Sequence, residues 1–131
     1  HYNGGLRGKI FTIWGLSFKP DTDDMRDAPS RVLMEALWQA GAKVQAYDPV
    51  AMDETKKIYG ERSDLKLMDS PEAAVKNTDG LLLVTEWRVF QSPDFDEMLR
   101  LMKSPIVFDG RNIYDPTALR DKGFTYYGIG R

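Results

Sequence analysis

The sequence contains no cysteine and a single histidine, His1, among its 131 residues. Disulfides, thiolate metal ligands and thiol nucleophiles are therefore excluded within the chain. The lone histidine stands at the terminus, in a stretch (1–8) that reads as a tag remnant or the end of a linker, so no Ser-His or Cys-His pair can be assembled. Neither sign of charge is in excess: 18 Lys plus Arg face 20 Asp plus Glu, for a formal net charge of -2. Without a basic run, neither nucleic acid nor an anionic membrane surface is an expected partner. Long apolar runs are also missing. Stretches such as 81–84 fall far short of the ~20 residues that span a bilayer, no signal peptide is visible, and a cytoplasmic location is expected.

What is present suits one folded domain, 9–131. Hydrophobic residues make up 42% of the chain, and a domain of this size buries roughly two thirds of its unfolded surface. Short apolar runs at 9–15, 44–47, 65–68, 80–85, 105–109 and 124–127 alternate with helical patterns at 30–40, 52–59, 70–76, 95–102 and 117–122. That alternation predicts a Rossmann-like α/β fold. The expected sheet is open and parallel, with about six strands in the order 3-2-1-4-5-6 and helices on both faces. The helix at 30–40 is expected to bury Val32, Leu33, Ala36, Leu37 and Ala40 as one stripe, with Met34 and Trp38 as a second patch. Gly41 stands where a left-handed cap would close it.

In such sheets ligands sit outside the carboxyl ends of the strands, where strand order reverses. Here that means the turns after the first, fourth and fifth strands. The first turn, Gly15-Leu16-Ser17-Phe18-Lys19-Pro20, holds one glycine where a dinucleotide fingerprint needs three, and Walker A spacing is absent. Asp48 imitates the acidic residue that holds a ribose, but an Asp-Pro turn at a strand end is the preferred reading. Lys19 offers a compact cation, and Arg111, after Gly110, a planar fork for a phosphate or a hydroxyl pair. Either alone reads as a surface residue. Together, at strand ends that share one edge, they suit an anion.

Asp21, Asp23, Asp24 and Asp27 surround Arg26 without the spacing of a calcium loop, so solvated or Arg-paired carboxylates are expected and no metal site. Glu86 is a weak candidate for a general base because the sequence offers it no partner, and Trp87, a conceivable stacking platform, is more simply core.

The runs Phe18-Lys19-Pro20-Asp21-Thr22-Asp23-Asp24-Met25-Arg26, Tyr47-Asp48-Pro49, Thr85-Glu86-Trp87 and Asp109-Gly110-Arg111-Asn112 occur in an order that resembles the C-terminal, UDP-binding domain of the UDP-glucose dehydrogenase family. The resemblance extends from Lys9 to Arg131. It implies an NAD-dependent enzyme that oxidises UDP-glucose to UDP-glucuronate with two NAD, through a thioester on a cysteine upstream of this domain. It also implies an N-terminal NAD-binding domain, a central helical region that forms a homodimer, and an active site between the outer domains. By the same resemblance Phe18 and Lys19 match the pair at the UDP-sugar, and Arg111 matches the arginine at the nucleotide. Arg26 matches an arginine that reaches NAD held mainly by the other domain. The domain alone is then expected to be inactive. Dehydrogenases of UDP-N-acetylmannosamine and GDP-mannose share the fold, while Gly-Arg-Asn-Ile-Tyr-Asp-Pro at 110–116 leans towards UDP-glucose.

A different class, a phospho-acceptor receiver module, has similar length and alternation. It requires an acidic acceptor at the end of a central strand, an acidic pair straight after the first strand and a late lysine. This chain has Thr85 and Arg111 at the corresponding strand ends, and Asp23-Asp24 lies well beyond the first strand.

Overall fold

The computed structural model describes residues 5–128; His1, in the stretch read as a tag remnant or the end of a linker, lies outside them. The elements in chain order are β1 (Ile10–Trp14), α1 (Pro29–Gln39), β2 (Lys43–Tyr47), α2 (Met52–Tyr59), β3 (Leu65–Leu67), α3 (Pro71–Val75), β4 (Gly80–Leu83), α4 (Phe95–Leu101), β5 (Ile106–Asp109), α5 (Pro116–Lys122) and β6 (Thr125–Gly128). Local chemistry sets the boundaries. Ser70 accepts a hydrogen bond from the Ala73 amide before Pro71 opens α3, and Gly41, at φ +88°, closes α1. A short 3-10 turn at Arg88–Phe90 has no counterpart in the hydrophobic pattern.

All six strands are parallel, in the order β3-β2-β1-β4-β5-β6. Trp14 lies opposite Tyr47 and Leu83, and Leu83 opposite Asp109. The flush register brings the turns after β1, β2, β4 and β5 to a single edge. The order also differs from the 2-1-3-4-5 sheet of receiver modules.

Right-handed crossovers send α1 and α2 to one face and α3, α4 and α5 to the other. On the first face Phe11 and Ile13 pack with Met34, Leu37, Val44 and Ala51. On the second, Trp14 packs with Val75, Met98 and Leu119, and its ring stacks on Phe90 at 4.9 Å.

The stripe expected on α1 is rotated. Its buried residues are Ser30, Met34 and Leu37, while Val32 is 72% exposed and Ala36 and Ala40 face outward. Hydrophobicity pointed elsewhere because the polar Ser30 takes a core position, its hydroxyl donating to the Leu16 carbonyl at 2.5 Å.

Two helices on one face and three on the other leave part of the sheet uncovered. On the α1 side Leu82 and Phe108 are half-buried and Tyr127 is exposed, with the Phe108 and Tyr127 rings stacked at 5.1 Å. An apolar cleft of about 450 Å³ opens there between Pro29 and Leu33 of α1 and Leu82, Phe108 and Arg111. Parallel sheets are ordinarily covered on both faces. Among the described residues, no helix is long and apolar enough to cross a membrane.

Candidate functional site

The turn after β1 is drawn tightly against the turn after β4. Gly15 has φ +95°, and a Cβ there would lie 2.5 Å from the Thr85 Cβ, so only glycine fits. The Thr85 hydroxyl donates to the Ser17 carbonyl at 2.6 Å.

Asp48, fully buried at the end of β2, ties three turns together. Its Oδ2 accepts from the Leu16 and Ser17 amides at 2.7 and 3.2 Å and from Trp87 Nε1 at 3.1 Å. Its Oδ1 accepts from the Val50 and Ala51 amides at 2.9 and 2.8 Å. The Asp-Pro turn expected from sequence is therefore present, together with a reach into the neighbouring turns that the sequence did not disclose. With both oxygens engaged inside the domain, Asp48 has no capacity left for a ribose. Together with the single glycine of the β1 turn, this means that the described residues form no dinucleotide cradle. Trp87 is core, as expected, and its indole N–H also braces the edge.

Beyond this brace the β1 turn presents Phe18, 42% exposed, and Lys19, whose Nζ lies 5.5 Å from the Phe18 ring centroid. Both face solvent at the strand-end edge.

The turn after β5 is built in the same manner. Buried Asp109 accepts from the Arg111 amide at 3.0 Å, the Tyr114 amide at 2.9 Å and the Tyr126 hydroxyl at 2.8 Å. The Gly110 amide donates to the Leu83 carbonyl at 2.9 Å, and a Cβ on Gly110 would come within 2.8 Å of that oxygen. The Tyr114 hydroxyl donates to the Phe90 carbonyl at 2.5 Å; burial, reinforced by the Asp109 charge, pushes this phenol far above its ordinary range.

Arg111 projects from this fixed backbone and donates through Nε and Nη2 to the two oxygens of Glu86, the Nη2–Oε1 distance being 3.2 Å. The expectation that Glu86 lacks a partner is thus corrected. The partner comes from the β5 turn, 25 residues away in sequence. The β4 turn therefore touches both cation-bearing turns, through Thr85 on one side and Glu86 on the other.

In the acidic loop, Arg26 clamps Asp24 through Nε at 3.0 Å and Nη2 at 2.8 Å, while its own amide donates to Asp24 Oδ1 at 2.9 Å. These bonds hold the Asp24 carboxyl down at about 2. The Arg26 side chain is 89% exposed, so the clamp orients it outward. Asp21 and Asp27 adopt positive φ and shape the loop.

Residues 12–116 match the model of the UDP-glucose/GDP-mannose dehydrogenase family, UDP binding domain. The chain belongs to this family. The UDP-glucose 6-dehydrogenase of Pseudomonas aeruginosa is 47% identical over 133 residues, covering 99% of this chain and 29% of the longer protein. Among solved structures, a UDP-glucose dehydrogenase from the archaeon Pyrobaculum islandicum superposes with a TM-score of 0.78 at 28% identity, over 96% of this chain and 26% of that one. The UDP-D-ManNAc dehydrogenase of Pyrococcus horikoshii gives 0.73 at 28% identity, over 94% of this chain and 26% of that one. The chain thus spans less than a third of the length of the curated family members it matches.

Lys19 and Arg111 stood out by their place at strand ends, and the family resemblance added Phe18 and Arg26; the fold sets Phe18, Lys19 and Arg111 on turns linked through β4. Arg26 lies apart on the acidic loop. Reasoning from sequence missed Asp48 and Asp109 as braces. The available signal was their position, each an aspartate at the end of a strand and before Pro or Gly, where a side chain readily accepts turn amides.

Proposed function

We propose that this domain binds the UDP part of UDP-glucose within a longer NAD-dependent UDP-glucose 6-dehydrogenase, which forms UDP-glucuronate with two NAD. The observation that carries the reading is the braced edge. Phe18 and Lys19 on the β1 turn and Arg111 on the β5 turn stand on backbones linked through the β4 turn. Lys19 supplies a point charge for a phosphate and Arg111 a directional fork for the nucleotide's anionic oxygens. Phe18 offers apolar surface beside them.

The domain alone is catalytically inactive, because it has no cysteine and, among the described residues, no dinucleotide cradle. Arg26, exposed and clamped by Asp24, extends towards NAD held mainly by another domain of the same polypeptide. The uncovered face around Leu82, Phe108 and Tyr127 supports the presence of such domains, since apolar sheet surface of this kind needs a cover. Assembly into a homodimer belongs to the region outside this domain.

The family also includes GDP-mannose enzymes, and the Pyrococcus relative acts on a different UDP-sugar, so the decisive test compares nucleotides. UDP and UDP-glucose are expected to raise the melting temperature of the chain and GDP to have no effect. A ligand that binds only the folded state adds about 2.7 kcal/mol at 100 times its Kd. Lys19→Ala and Arg111→Ala are each expected to diminish the shift. Equal shifts with GDP and UDP, or wild-type behaviour of both variants, would overturn the assignment.

A further inference from the structure

We propose that Glu86 is a positioning residue that holds the Arg111 guanidinium in its nucleotide-binding orientation. The inference rests on the preceding assignment of Arg111 to the nucleotide and adds a residue that the assignment does not contain.

Both partners stand on immobilised backbone. Glu86 lies between Thr85, whose hydroxyl is fixed on the Ser17 carbonyl, and Trp87, whose indole is fixed on Asp48. Arg111 follows Gly110, whose amide is bound to Leu83, and its own amide is bound to Asp109. Two side chains that extend from such anchors and meet edge to edge define one orientation. By contrast, the pairs of Lys57 with Glu54 and Arg100 with Glu97 join neighbouring turns of one helix, where either member can swing away.

The chemistry of the fork leaves Arg111 competent to bind. A guanidinium carries five N–H donors. The carboxylate takes Nε–H and one N–H of Nη2, leaving the Nη1 pair and the outer Nη2 hydrogen, which suit a phosphate oxygen pair. With its side chain 42% exposed, Arg111 remains within reach of a ligand at the edge. An arginine without the carboxylate would sample many rotamers and lose them on binding, a cost that corresponds to about a three- to tenfold loss of affinity. Glu86 also lowers the positive potential of the edge. The proposal therefore requires that orientation outweigh this loss of charge.

The test uses the chain itself with UDP as probe. In wild type the Arg111 Nε–H is expected as a protected resonance in 15N-edited NMR spectra, and Glu86→Gln is expected to shift it and speed its exchange with water. By calorimetry Glu86→Gln should weaken UDP binding about three- to tenfold, and Glu86→Ala by at least as much. Arg111→Gln should weaken it further, and adding Glu86→Gln to Arg111→Gln should change nothing more, since the two act through one contact. Unchanged far-UV circular dichroism and melting temperature confine the effect to the edge. If Glu86→Gln binds UDP as well as wild type or better while Arg111→Gln is weak, positioning is refuted and the role of Arg111 stands. If Arg111→Gln binds like wild type, the assignment of Arg111 to the nucleotide fails, and positioning with it. Equal losses from Glu86→Gln in both backgrounds also refute positioning through Arg111.

Discussion

Replacing Asp48 tests the idea that one buried carboxylate holds the edge together. Asp48→Ala removes the acceptor for four backbone amides and the Trp87 indole. The Val50 amide, on a residue 51% exposed, can turn to water, but the Leu16, Ser17 and Ala51 amides and the Trp87 indole belong to buried residues. Leaving a buried donor unmade costs about 1–3 kcal/mol. Partial relaxation keeps each of the four near the lower limit, so the expected loss is about 3–5 kcal/mol, a large share of the ~5–15 kcal/mol by which domains are stable. Asp48→Asn separates hydrogen bonding from shape. Its carbonyl oxygen can stay with Val50 and Ala51, but its NH₂ would then face Leu16, Ser17 and Trp87, which are donors themselves, so a cost of about 2–3 kcal/mol is expected. The three tryptophans, two of them buried on the β4 side of the core, make urea unfolding readable by fluorescence. With an m-value of about 1.5 kcal/mol/M, Asp48→Ala should lower the midpoint by ~2–3 M. A decrease below about 0.5 M with m unchanged, or an Asn variant as stable as wild type, would show that the three turns do not depend on this carboxylate.

Three further outcomes follow from the same geometry. The Asp24 carboxyl should titrate at about 2 by 13C NMR, and Arg26→Gln should return it towards 3.8, the ordinary value; titration near 3.8 in wild type would show that the clamp does not form. Because the folded value is depressed, what the clamp contributes to stability is complete above the ordinary carboxylate range and disappears as pH falls through about 2. Gly15→Ala, at φ +95° and with its Cβ driven into Thr85, should cost about 2–4 kcal/mol by thermal or urea unfolding and weaken UDP binding as well; an alanine variant of wild-type stability would refute the close approach. Tyr126→Phe removes one donor to Asp109 and leaves the Arg111 and Tyr114 amides in place, so it should cost only about 1 kcal/mol and leave UDP affinity unchanged; a loss of affinity greater than about tenfold would make Tyr126 part of the site.

How far the sequence speaks depends on whether a signal is periodic or relational. Strand order, parallel pairing and the edge that carries Lys19 and Arg111 all follow from alternating apolar runs and from turn chemistry at Gly15, Gly41 and Gly110, which one segment of sequence expresses by itself. The misread face of α1 lies at the margin of such reasoning: Val32 and Ala36 look like core and are not, because Ser30 satisfies its hydroxyl on Leu16 and takes a core position. The braces lie beyond it. Asp48 reaches Trp87 across 39 residues, and Glu86 reaches Arg111 across 25; nothing in either segment names the other, since the contact exists only once β4 lies between β1 and β5. The same dependence explains why apolar packing alone cannot make the edge. Core residues hold the strands in register but leave the turn backbones free to choose among conformers, whereas a buried aspartate accepting four amides, as Asp48 does, or two, as Asp109 does, permits one. Asp48 and Asp109 stand at the ends of β2 and β5, on either side of the β1–β4 pair where strand order reverses. Each therefore fixes one flank of the edge, and Thr85 and Glu86 join those flanks across the middle. A site assembled in this way can have its cations exchanged without disturbing the fold. Loss of the buried Asp48 brace disturbs fold and site together and is measured by unfolding, whereas Glu86→Gln alters only a surface contact and is measured by binding.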